Sequence, residues 1–191
     1  GDFSLSGLFN SGNTYSYVSG TNGSGSWLES AENAKGTTNG GSAVNDTYLI
    51  SITSKLENAI GVYTSNYQGA WIGCYRNNTV ANDGIEDTAD DKWYWIGGSE
   101  AGGPWASSGE SPFNAVSGAA GISFLTEKEN GAGPYNTPSG FDNFNTNEPN
   151  RSGNIENVGQ FFGQRGLWND LRQTTKFSNS GSQYAVWGYV K

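Results

Sequence analysis

The stretch YLISITSKLENAIGVYTSNYQGAWIGCY, residues 48–75, sets the architecture. It opens on a short apolar run, Tyr48 to Ile52, and closes on a second, Ala70 to Tyr75; both have the aromatic and β-branched character of strands. Between them Ser54-Lys55-Leu56-Glu57 has the Ser-x-x-Glu form of a capping box, in which hydroxyl and carboxylate satisfy the first free amides of a helix. Leu56, Ala59, Ile60 and Tyr63 then recur at helical spacing, which predicts an apolar face, and Asn66 suits a helix end. Strand, capped helix and strand within so short a span imply a helix that a sheet must cover.

Working outward, Ser26-Trp27-Leu28-Glu29 repeats the capping pattern. Trp27, Leu28, Ala31 and Ala34 share one face, and Gly36 is a natural stop. Further strands are expected at Tyr15–Val18, Lys92–Ile96, Val158–Phe162 and Gln183–Val190, each bounded by Gly or Asn. Strands at both ends of the chain predict that the termini pair and close the domain. From Gly98 to Phe141 no period is sustained, and a stretch of that length is usually functional or an insertion. The class read from these elements is α+β with two short helices, small antiparallel sheets and long loops.

Composition narrows the function. A chain of 191 residues suits one domain spanning 1–191, with an extended loop insertion at about 104–140. The absence of His excludes Ser-His-Asp and Cys-His catalysis and any imidazole metal site, and a single Cys excludes an internal disulfide. A net charge of −8 disfavours nucleic acid and anionic membranes, and no apolar run is long enough to insert into one. Abundant Gly and Asn with almost no Cys, and no Met at position 1, lead us to expect an extracellular bacterial module cut from a longer protein.

The residues that carry chemistry lie in the C-terminal third. Asn147-Glu148-Pro149-Asn150 is followed by Glu156-Asn157 and then by Leu167-Trp168-Asn169-Asp170. Carboxylates at Glu148, Glu156 and Asp170, with amide oxygens at Asn150 and Asn169, form an oxygen-rich set that suits Ca²⁺ better than zinc or copper. A cis bond before Pro149 would place the Glu148 and Asn150 side chains on one side of the loop. The ordered motifs resemble C-type lectin domains: Trp27-Leu28-Glu29-Ser30-Ala31, Leu49-Ile50-Ser51-Ile52, Trp71-Ile72-Gly73, Trp93-Tyr94-Trp95-Ile96-Gly97, Phe141-Asp142-Asn143-Phe144, Glu148-Pro149-Asn150 and Trp168-Asn169-Asp170. The missing disulfides, together with Gly98-Ser99-Glu100-Ala101-Gly102, resemble the bacterial versions in large calcium-dependent adhesins.

The resemblance implies a C-type lectin-like fold at the cell surface. It assigns Glu148, Asn150, Glu156, Asn169 and Asp170 as calcium ligands, the first four also bonding sugar hydroxyls. A Glu-Pro-Asn loop implies mannose-type glycans, including fucose and N-acetylglucosamine; a Gln-Pro-Asp loop would imply galactose. Recognition rather than catalysis is the expected function. The alternatives are a lectin-like domain that binds a protein or peptide, and a carboxylate-pair glycosidase. Trp71, Trp93, Trp95, Trp168 and Trp187 read as core, and Cys74 as a small buried hydrophobe. Trp105 is a candidate ligand contact, and the acidic run 82–91 reads as a solvated turn.

Overall fold

The computed structural model describes residues 15–19, 25–36, 48–77, 92–96, 124–126, 141–150, 152, 156–162, 165–172 and 188–190. Two helices form where the capping boxes predict them. In the first, α1 (Trp27–Gly36), Ser26 N–H and Oγ–H donate to Glu29 Oε2 at 2.7 and 3.0 Å, while Glu29 N–H donates back to Ser26 Oγ at 3.3 Å. In the second, α2 (Lys55–Thr64), Glu57 N–H donates to Ser54 Oγ at 3.2 Å. The Glu57 carboxylate in turn accepts from Thr53 N–H at 2.8 Å. Each cap stabilises its helix by about 1 kcal/mol, enough to fix where these short helices begin.

The α2 face differs from the expectation. Leu56 and Tyr63 are 45% and 56% exposed, and Ala59 is also exposed. Asn58, Gly61 and Val62 point inward instead. A Cβ on Gly61 would lie 2.7 Å from Phe161 Cζ, so this helix approaches the sheet through a glycine and a polar residue. Hydrophobicity alone selects the wrong stripe. The α1 face is as expected, with Trp27, Ala31 and Ala34 buried.

Among the described residues seven strands join into one connected sheet: β1 (Tyr17–Ser19), β2 (Ala70–Asn77), β3 (Lys92–Trp95), β4 (Leu125–Thr126), β5 (Val158–Phe162), β6 (Leu167–Leu171) and β7 (Gly188–Val190). The termini do pair, β1 running antiparallel to β7 with Val18 opposite Tyr189. Strand β2 is the hub, antiparallel to β5 along one edge. Its other edge meets β7 in a parallel contact at Trp71 and then β3 from Cys74 onward. The change of partner occurs at Gly73, whose N–H donates to Ile50 O at 2.9 Å and whose carbonyl accepts from Ile96 N–H at 2.8 Å. A Cβ on Gly73 would stand 2.5 Å from Leu49 O, so the Trp-Ile-Gly motif ends in glycine because another backbone crosses there. Residues 48–52 are not a strand of the ladder: Ile50 bridges instead, its N–H donating to Val190 O and its carbonyl accepting from Gly73 N–H, both at 2.9 Å. Strands β4 and β6, unforeseen from the sequence, complete the sheet.

Alternation along β2 divides the core. Ile72 and Cys74 join Trp93, Trp95, Phe161 and Trp168 on the face where Val62 of α2 packs. Trp71 and Tyr75 join Trp27, Ala31 and Ala34 of α1 on the other. Trp71, Trp93, Trp95 and Trp168 are all core, as expected, and Trp187 lies outside the described residues. Cys74 is buried, and burial pushes its thiol pKa well up, so it behaves as a hydrophobe. Among the described residues no helix is long and apolar enough to cross a membrane. Trp105, the acidic run 82–91 and all of 104–140 except Phe124–Thr126 lie outside the described residues.

Candidate functional site

The site is built where one loop is strapped alongside β6. Phe144 pairs with Trp168 in an isolated parallel bridge: Trp168 N–H donates to Asn143 O and Asn145 N–H to Trp168 O, both at 2.9 Å. Glu148 N–H then donates to Asn145 O at 2.9 Å, turning the chain back toward the strand. The Glu148–Pro149 bond is cis, and Asn150 Nδ2–H donates to Glu148 Oε1 at 3.0 Å, so the two side chains do share one side of the loop.

Four of the five expected residues are linked here. Asn150 N–H donates to both Glu148 Oε2 and Asp170 Oδ1 at 3.0 Å, tying the loop to β6. Ser152 N–H donates to Asn150 Oδ1 at 2.8 Å and to Glu156 Oε2 at 2.9 Å, which brings in the residue just before β5. The fifth, Asn169, is buried in β6 and donates its Nδ2–H to Asp170 O at 2.8 Å. That bond is internal to the strand.

Electrostatics sets this loop apart. Glu148 has its pKa pushed up to about 8, first by burial and then by hydrogen-bond contact with Asp170 and the charges of Asp170 and Glu156. Glu156 rises to about 7, again by burial first and then by Asp170, with Arg172 opposing. Asp170 itself is 0% exposed. Glu148 and Asp170 are therefore a contacting pair, and Glu156 acts on them through charge. Among the described residues no group of three or more acids or cysteines closes to metal-holding geometry.

A pH dependence follows. In the metal-free protein Glu148 and Glu156 hold protons that the unfolded chain, with its ordinary carboxylate range, has already released. These groups favour the folded state most fully below about pH 4.5, and that contribution is lost as pH rises to about 8. Metal-stripped protein should thus melt at a lower temperature at pH 8 than at pH 5.5. A calorimetric scan at the two values checks this, and a higher Tm at pH 8 would count against the carboxylate cluster.

Sequence reasoning missed the Ser152 amide, which binds the Asn150 and Glu156 side chains, and, beside the loop, Asn58 on α2 and Gly166. Gly166 alone had a visible signal, standing directly before Leu167-Trp168-Asn169-Asp170. It adopts φ +68°, and an added Cβ would meet Val62 Cγ2 and Asn58 Nδ2.

Two box-capped helices, paired termini, a Trp-Ile-Gly hub strand and a cis-proline loop strapped to the Trp168 strand are now all in place. The fold is C-type lectin-like. No protein-family model matches the chain, and no curated protein does. Solved structures similar to this chain include the cow C-type carbohydrate-recognition domain of CD23, solved in the presence of a GlcNAc2Man3 oligosaccharide. That structure is 16% identical with a TM-score of 0.48, over 93% of this chain and 84% of that one. They also include the C-type lectin CEL-I from Cucumaria echinata, 16% identical with a TM-score of 0.47, over 93% and 86% of the two chains.

Proposed function

We propose that residues 1–191 form a single calcium-dependent module that binds mannose-type glycans, displayed on a bacterial surface for adhesion. The observation that carries this reading is the convergence of Glu148, Asn150, Glu156 and Asp170 on one loop and strand. The donor set fits a hard cation, with carboxylate and amide oxygens and no sulfur or imidazole. Two carboxylates in contact, with a third acting on them, also have a charge that a divalent cation would neutralise. Glu148, Asn150, Glu156, Asn169 and Asp170 would hold calcium, which when bound supplies coordination positions for two vicinal sugar hydroxyls.

The protein's own groups then do the selecting. Glu148 accepts a hydrogen bond and Asn150 donates one, on the two sides of Pro149, while Asp170 anchors the loop through the Asn150 amide. A glycosidase reading is less well supported, although a Glu148 pKa of about 8 would suit a general acid. Its carboxylate pair would be Glu148 and Glu156, and a bound calcium ion would depress both pKa values and hinder proton donation.

The test exchanges donor and acceptor. Glu148→Gln with Asn150→Asp keeps one negative charge and two oxygen ligands, so calcium should remain bound while preference moves from mannose toward galactose. A mismatched hydrogen bond costs about 1–3 kcal/mol, a roughly 5- to 150-fold loss for the original sugar. Calorimetry of both proteins against mannose, fucose and galactose in saturating calcium measures it. If the double variant holds calcium and binds the original sugar unchanged, the glycan does not sit on this loop.

A further inference from the structure

Asn58 is the one polar residue of α2 that turns inward to β6 through both ends of its amide. Its Oδ1 accepts from Trp168 Nε1–H at 2.8 Å, and its Nδ2–H donates to Gly166 O at 3.1 Å. The same Gly166 carbonyl accepts from Asn143 Nδ2–H at 2.7 Å, at the entry to the loop that carries Glu148 and Asn150. One carbonyl thus receives the helix from one direction and the loop from the other. The connection continues without a break, from Asn143 and Asn145 on the Trp168 backbone to the Glu148 amide on Asn145 O.

We infer that Asn58 is a positioning residue for the carboxylate loop, setting its spacing from β6 by fixing the Trp168 ring and the Gly166 carbonyl together. Two hydrogen bonds from this one side chain join the helix to the strand and to the segment that leads into it. Val62 approaches the same glycine with its apolar side chain, and Leu56 and Tyr63 are exposed. Gly166 has no space for a side chain, so the strand cannot shift toward α2 to compensate for a lost bond. A small displacement of β6 would move Asp170 relative to Glu148 and Asn150, and oxygen-ligand sites are sensitive to such changes. The calcium arm of this inference rests on the function proposed above; the loop-positioning arm does not.

The experiment compares Asn58→Leu, which keeps the volume and removes both bonds, with Val62→Ala, which loosens the same helix contact and leaves every strap bond in place. Amide hydrogen exchange of the metal-free proteins is read at Asn145, Glu148 and Trp168 against the β2–β5 ladder. Asn58→Leu should speed exchange at the three strap amides at least about tenfold beyond any general rise, whereas Val62→Ala should raise both sets together. Calcium titration by calorimetry should then give a Kd about 5- to 50-fold weaker for Asn58→Leu, and within about twofold of wild type for Val62→Ala. Equal exchange patterns in the two variants would overturn the inference, as would an unchanged calcium Kd in Asn58→Leu when the wild type binds calcium. A wild type that binds no calcium refutes the proposed function instead, and exchange alone then decides the role of Asn58.

Discussion

Asp170→Asn is expected to bind calcium at least about 100-fold more weakly than the wild type, because affinity at such sites follows ligand charge. Without calcium the same variant should melt about 2–8 °C higher. The two effects have one cause. Asp170 is fully buried, and its charge helps hold both Glu148 and Glu156 above their ordinary range. An asparagine there keeps an oxygen to accept the Asn150 amide, so the loop stays tied to β6 while the repulsion is removed. Glu148 and Glu156 are partly solvated, and after screening the relief is roughly 1–2 kcal/mol. Scanning calorimetry on metal-stripped protein, with isothermal titration of calcium, reads both quantities. A calcium affinity within tenfold of wild type would show that Asp170 is not a ligand.

Trp168→Ala should remove about 3–5 kcal/mol of stability, a fall in Tm of about 6–20 °C for a chain of this size. Trp168 is 0% exposed and meets Trp95, Phe141 and Phe144 edge-on at ring centroid distances of 5.6, 5.8 and 5.5 Å. Its indole N–H binds Asn58, and its backbone holds Asn143 and Asn145. Truncation therefore leaves a large cavity and unpairs the Asn58 oxygen at the point where helix, strand and loop meet. Calcium affinity should fall in the same variant, since Asp170 lies two residues along β6. Denaturant unfolding checks the first effect, and a loss below about 1 kcal/mol would mean that the core collapses around the vacant site.

The sequence by itself determined the local features. Ser26/Glu29 and Ser54/Glu57 set the helix starts, because a cap is a contact between residues three apart and needs no tertiary partner. The sequence reading placed Trp71, Trp93, Trp95 and Trp168 in the core, and Glu148, Asn150, Glu156, Asn169 and Asp170 were legible as an oxygen-rich set, though not the bonds that link four of them. Tertiary structure alone decided which face of α2 is buried. Gly61 and Asn58 turn inward because Phe161, Gly166 and Trp168, about a hundred residues away in the chain, present a close contact and hydrogen-bonding groups there. It also decided that residues 48–52 bridge rather than pair, and that two-residue β4 is a strand, because a ladder exists only once its partner is in place. The raised Glu148 and Glu156 pKa values belong to this second kind, since they arise from burial and from Asp170, which the fold brings to them.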